Sequence, residues 1–286
     1  MRLAALPLSA GRLASRAALV GALILAGWVG GCVTTVAPVA NPGEGGAPGP
    51  GPAAPNPNEV QSAERRARVR LELAALYFGR GQHSTALDEL KLAQAASPDM
   101  PEVHGLRGLI YAALGDAVIA EQSYKRALEL NPGDGETMHN YGWLQCQQRR
   151  YAEAEATFER AIQVPNYAGV QRTLLVRGVC QARNGLWADA ERTLSRSYEL
   201  DPSNAATAYN LSDVLLRRGE LERARFFVRR INQVPEAVTA QSLWLAARIE
   251  RRIGNVDGVQ DFGRQLRERF PQSPETLQYE RGRFDE

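Results

Sequence analysis

Histidine is scarce in this 286-residue chain: His83, His104 and His139 are the full set. No two stand at a spacing by which histidines share a metal, which excludes a histidine-built metal centre. Cysteine is equally sparse, at Cys32, Cys146 and Cys180. No apolar run reaches the roughly 20 residues that a membrane-spanning helix needs. The glycine-rich stretch before residue 59 is followed by no Gly-Lys-Ser/Thr and preceded by no strand pattern, so it is not a phosphate loop. Charge is nearly balanced as well. The net charge is +2, and it falls to −1 if Arg2, Arg12 and Arg16 are removed with the acid-free residues 1–31. Such a chain has no overall attraction to phosphate backbones, and nucleic acid is not an expected partner. What is present is a 44% hydrophobic, 23% charged composition, able to bury a sizeable core.

The first residues read as an export signal. Arg2, Arg12 and Arg16 precede an apolar stretch over residues 17–29, short enough for a signal-peptide core rather than a membrane span. The stretch closes in Val29-Gly30-Gly31-Cys32, which resembles the lipobox of bacterial lipoproteins. The resemblance implies cleavage after a signal peptide of residues 1–31 and acylation of Cys32. Ordinary cleavage beside Gly30 or Gly31, leaving Cys32 a free thiol, is the alternative. Two or three acyl chains, at about 0.8 kcal/mol per buried CH₂, anchor a protein stably. Residue 33 is Val rather than Asp; in lipoproteins this favours the outer membrane over inner-membrane retention.

Residues 32–58 form a lipidated tether. Proline and glycine crowd residues 37–58 and large apolar residues are almost missing. Proline removes backbone donors and glycine raises the cost of ordering, so a partly extended spacer is expected.

From residue 59 to 286 the chain repeats itself. Ala86, Ala120 and Ala154 recur every 34 residues, as do Gly81 and Gly115, Tyr77 and Tyr111, Gly108 and Gly142, and Pro98 and Pro132. A period of 34 with Gly108, Tyr111, Gly115, Ala120, Tyr124, Ala127, Leu128 and Pro132 in one unit resembles the tetratricopeptide repeat. The fold class expected is all-α, a right-handed superhelical solenoid of about six tetratricopeptide (TPR) helix hairpins. Gly108 and Ala120 let paired helices approach; Tyr111, Tyr124 and Leu128 fill the space between pairs; Gly115 permits the turn and Pro132 closes the second helix. Ala190 follows Ala154 by 36 residues, so two extra residues fall near Pro165-Asn166-Tyr167. The sixth unit, Trp244 to Pro271, is the weakest, with Val259 read as replacing the small alanine; an altered last unit suits an end cap.

No catalytic constellation emerges, and the repeats leave no room for a catalytic domain, so the protein is not expected to be an enzyme or to need a cofactor, metal or small-molecule substrate. His83 sits at a turn register where packing is its natural role. Acid pairs such as Asp88-Glu89 read as solvated faces. A reactive thiol would not stay free in an oxidising periplasm. Cys146 and Cys180 fall in the middle of first helices of neighbouring units and are expected to form a disulfide adding about 3 kcal/mol; two isolated buried thiols are the other reading. First helices line the inner groove of such solenoids, and groove residues recur every three or four positions. That spacing selects Phe78, His139, Trp143, Arg183, Tyr209, Asp213, Arg217, Trp244 and Arg248 as a partner-binding set, aromatic and arginine residues being favoured anchors. For Trp143 and Trp244, packing between helices is the competing role. Leu71 and Ala75 stand where a carboxylate clamp for a partner's C-terminus would need a basic residue and Asn.

Two segments carry a closer likeness: Asn140-Tyr141-Gly142-Trp143-Leu144-Gln145-Cys146-Gln147 with Tyr151, Ala154, Phe158 and Ala161, and the terminal Gln265-Leu266-Arg267 with Phe270-Pro271 and Ser273-Pro274-Glu275. Together with Trp244-Leu245-Ala246 and Arg248-Ile249, they are similar to the PilF/PilW family of type IV pilus biogenesis lipoproteins. The long Pro/Gly tether departs from that family. The resemblance implies a pilotin, a lipoprotein on the periplasmic side of the outer membrane that helps the pilus secretin reach the membrane and multimerise. A general periplasmic TPR scaffold for another envelope assembly is the alternative.

Overall fold

Residues 57–284 are described by the computed structural model. The signal segment 1–31, Cys32 and nearly all of the tether lie outside the described residues. Among the described residues there are thirteen α-helices and one short 3-10 turn. Proline is kept to connections and first helical positions, where its missing N–H is no loss.

The helices pair in chain order. The hairpins are α1 (Pro57–Gly79) with α2 (His83–Ala96), α3 (Pro101–Leu114) with α4 (Ala117–Leu130), α5 (Gly135–Gln147) with α6 (Tyr151–Ile162), α7 (Val170–Arg183) with α8 (Trp187–Leu200), α9 (Ala205–Arg217) with α10 (Leu221–Asn232), and α11 (Ala240–Ile253) with α12 (Val256–Arg269). A last short helix, α13 (Pro274–Glu280), packs on α11 and α12. Each hairpin leans mainly on the next, so this is a tetratricopeptide superhelical solenoid.

Close approach within a hairpin depends on one small residue facing one large one. A Cβ on Gly108 would lie 2.6 Å from the Tyr124 ring, one on Gly142 2.7 Å from Phe158, and one on Gly178 2.6 Å from Leu194. Tyr124 therefore fills the space inside its own hairpin, not only the space between pairs. Its ring also reaches Tyr141 of the next unit, with centroids 6.0 Å apart. In the sixth unit Val259 stands five residues after the turn glycine Gly254, the position that Ala86, Ala120, Ala190 and Ala224 hold in theirs, and the residue before it is Gly258. A Cβ on Gly258 would meet Asn255 Nδ2 at 2.6 Å and Glu250 Cγ at 3.0 Å. Gly254 follows Gly219 by 35 residues, so the sixth unit is one residue longer up to its turn, and Val259 keeps the register of the alanine.

Five hairpins turn on a glycine in the left-handed region, Gly81, Gly115, Gly185, Gly219 and Gly254; the third turns on Arg149 at φ 62°. A left-handed L-residue costs about 1–2 kcal/mol, while glycine costs about 0.5–1 kcal/mol of extra unfolded-chain entropy. Arg149→Gly is thus expected to raise stability by about 0.5–1 kcal/mol, read as a higher denaturant midpoint at unchanged slope. A lower midpoint would show that the arginine side chain contributes more than its backbone costs.

The two extra residues of unit four lie in the α6–α7 connection, where Asn166 has φ 59°. Tyr167 folds back from this loop over Gly135 and Gly169, whose hypothetical Cβ atoms would lie 2.8 Å and 2.4 Å from it. Its hydroxyl is 3.1 Å from Thr173 Oγ1, so the insertion plugs the junction between units three and four.

Ion pairs clip successive units on their outer edge. Glu121 of α4 accepts from Arg150 at 2.8 Å and from the Tyr141 hydroxyl at 2.9 Å. Burial pushes that carboxyl up, but hydrogen bonds from Arg150, Lys125 and Tyr141 outweigh it and hold the group at about 2. Glu155 of α6 takes Arg177, and Glu191 of α8 takes Arg218 and Arg223. At the last junction the polarity reverses: Arg225 and Arg229 of α10 converge on Glu250 of α11, which is 1% exposed. Glu89, expected on a solvated face, accepts from Arg70 of α1 at 2.8 Å with a largely covered side chain.

Candidate functional site

First helices of successive units touch one another, α1 with α3, α3 with α5, α5 with α7, α7 with α9 and α9 with α11. No comparable contact joins successive second helices among the described residues. The first helices therefore lie on the short, inner side of the curve. All nine residues selected from the sequence lie on first helices, but the structure gives them different roles.

Phe78 is half-buried at the end of α1, packs with Leu71 and Tyr77 in the core of the first units, and lies 5.6 Å from the His83 ring. His139 is buried rather than displayed: Nδ1 is 2.9 Å from Thr173 Oγ1, a bond between α5 and α7. Burial first, and the Arg172 charge second, push its pKa down to about 4, so it is neutral at ordinary pH. Trp143 packs beside Cys146, Phe158 and Cys180 but keeps one face for Arg183, whose guanidinium lies 4.5 Å from the ring centroid. The expected packing role and the expected surface role thus coexist in one side chain.

Cys146 and Cys180 are joined by a disulfide, with Cα atoms 5.9 Å apart. They sit in the last turns of α5 and α7, not mid-helix as their repeat positions suggested. The disulfide thus joins the C-terminal ends of α5 and α7, while Tyr167 packs at their N-terminal ends against Gly135 and Gly169.

Farther along, Asp213 is buried and accepts from Arg217 Nε at 2.9 Å, with Arg248 Nη1 3.7 Å away. Arg217 lies over the Trp187 ring at 5.1 Å. Trp187 reads from the sequence as a repeat residue of unit four and is not among the nine selected for the groove; its place as first residue of α8, four positions after Arg183, is the available signal. Tyr209 is half-buried, and burial with the nearby Asp213 charge pushes its hydroxyl up to about 12.

Trp244, expected on the open groove wall, is 6% exposed. Tyr279 of α13 meets it edge-on at 6.5 Å and Phe284 lies 4.9 Å away. Arg248 Nε donates to the Phe284 carbonyl at 3.2 Å, and Arg251 covers the Phe284 ring. The C-terminal segment therefore occupies the inner side of the last hairpin, and the accessible part of the candidate site is the stretch from Phe78 to Tyr209. Among the described residues no group of three His, Cys, Asp or Glu could hold a metal ion.

Comparison with known proteins agrees with this architecture. Tetratricopeptide-repeat family models match residues 99–166 and 175–237. The type IV pilus assembly protein PilF of Pseudomonas aeruginosa is 24% identical over 216 residues, 76% of this chain and 84% of that protein. The crystal structure of PilW, a widely conserved type IV pilus biogenesis factor, superimposes with a TM-score of 0.70 at 27% identity, over 74% of this chain and 96% of PilW. The chain is a tetratricopeptide-repeat protein similar to PilF and PilW. The solved structure of Pseudomonas aeruginosa PilF, at 22% identity, shares the fold with a TM-score of 0.69 over 77% of this chain and 99% of its own. These two relatives are a type IV pilus assembly protein and a type IV pilus biogenesis factor, and the chain shares their tetratricopeptide-repeat fold. No described helix is long and apolar enough to cross a membrane.

Proposed function

We propose that this protein is a pilotin: an outer-membrane lipoprotein, acylated at Cys32, that binds the type IV pilus secretin through its inner groove and promotes secretin localisation and multimerisation. The observation that carries the reading is the match to PilW over nearly all of PilW's length. It is supported by an inner side that still offers Trp143 and Arg183 as anchors and by the Val29-Gly30-Gly31-Cys32 segment. In physical terms a lipid anchor and a spacer of residues 32–58 convert secretin capture into delivery. Tethering raises the effective concentration of bound secretin at the membrane without any new contact.

Cys32→Ala tests this in cells. The variant should fold normally, since Cys32 precedes the first described helix, yet leave the outer-membrane fraction, and heat-resistant secretin multimers should fall several-fold. Normal multimer levels with a fully soluble variant would rule out the anchoring account.

A further inference from the structure

Three arginines on the inner side divide into two kinds. Arg217 and Arg248 share the buried carboxylate of Asp213, at 2.9 Å and 3.7 Å, and Arg217 also stacks on Trp187. One hairpin earlier an arginine again lies over a tryptophan ring, though the indole comes from α5 rather than α8 and no carboxylate joins it. Arg183 holds the register of Arg217, 34 residues before it, and stacks on Trp143 at 4.5 Å. Four positions before Arg217 stands Asp213; four positions before Arg183 stands Val179. No carboxylate of the described residues lies within ion-pair distance of Arg183; burial lowers its proton affinity, and the neighbour that acts on it is Tyr151.

A partly desolvated guanidinium held against an indole, with no counter-charge, gains more from an arriving carboxylate than a solvated surface arginine does. The stack also fixes the plane of the fork, so little order is lost on binding. We infer that the Trp143–Arg183 shelf is the docking point for an acidic side chain, Asp or Glu, carried within an extended segment of the partner protein. A side-chain carboxylate is the chemistry indicated, because Asp213 performs this task for Arg217 inside the molecule itself. The inference deepens the secretin-binding reading and rests on it for the identity of the partner, though not for the charge of the segment.

The test is a titration of the full chain, made soluble by Cys32→Ala, with the periplasmic region of the pilus secretin. Arg183→Gln should weaken binding about tenfold or more, and Arg183→Lys should fall between the two. Arg160→Gln, an exposed arginine on α6, should bind as the parent does. Equal affinity of Arg183→Gln and the parent, or an equal loss in Arg160→Gln, would overturn the inference. If the parent fails to bind secretin at all, the pilotin reading falls, and a second probe decides the inference alone. That probe is an array of 12-residue, C-terminally amidated peptides with a central Glu, each matched with its Gln version. Retention of Glu peptides by the parent but not by Arg183→Gln upholds it; no Glu–Gln difference, or binding only by peptides with a free terminal carboxylate, sinks it.

Discussion

Gly142→Leu should cost about 3 kcal/mol of stability, measured as a shift in the denaturant midpoint. A Cβ at this position already lies 2.7 Å, 2.8 Å and 3.1 Å from three atoms of the Phe158 ring, and Phe158 is fully buried. The ring cannot move aside, because it is packed with Trp143, Tyr151, Ala154 and the Cys146–Cys180 pair. Overpacking of a filled core costs about 1–3 kcal/mol and sometimes more, against about 1 kcal/mol that any Cβ returns in helix propensity. The chain suggests its own rescue. Unit one has Ala74 and Leu90 at the positions of Gly142 and Phe158, both buried. The double variant Gly142→Ala/Phe158→Leu should therefore lose less than the sum of its single changes, a coupling expected only of residues in contact. Strict additivity would mean that the glycine serves something other than the approach of α5 to α6.

The second large effect concerns the covalent link between units three and four. Replacing Cys146 and Cys180 by alanine should destabilise the domain by about 3–4 kcal/mol in the chain-entropy account, for a bond spanning 34 residues. Reductant should lower the parent's unfolding midpoint to that of the double variant and leave the variant unchanged. Thiol titration of the Cys32→Ala chain, denatured without reductant, should find no free thiol; two thiols per chain would dispose of the link. In a solenoid whose hairpins mainly contact their neighbours, the loss should be local. Amide exchange should rise most in α5 to α8 and least in α11 to α13.

Much of this architecture is written in one dimension. Each hairpin covers the apolar side of the next, so the residues that permit close approach must recur at the length of a hairpin. For that reason Gly108, Gly142, Ala120 and Ala154 announce paired helices, Gly81 and Gly115 announce turns, and the two surplus residues before Ala190 locate the Tyr167 loop. Where the last unit changed length, the extra residue before Gly254 moved the turn and the position after it together, so Val259 keeps the alanine's register. Arg149 escaped notice because a left-handed backbone leaves no mark on residue type when a neighbouring structure over-determines it.

The inner side was legible only in part. Spacing placed all nine candidates on first helices, since register along a helix is a local property. Whether a residue there meets solvent or protein depends on segments remote in sequence. Trp244 is closed off by Tyr279 and Phe284, His139 is turned inward to Thr173 of the next unit, and Asp213 is consumed by two arginines from different helices. Arg183 differs from Arg217 not by its own identity but by the absence of a partner acid. Periodicity along the chain thus settles which elements form and in what order they stack. Burial, charge pairing and access arise from contacts between units, and those exist only once the stack has closed.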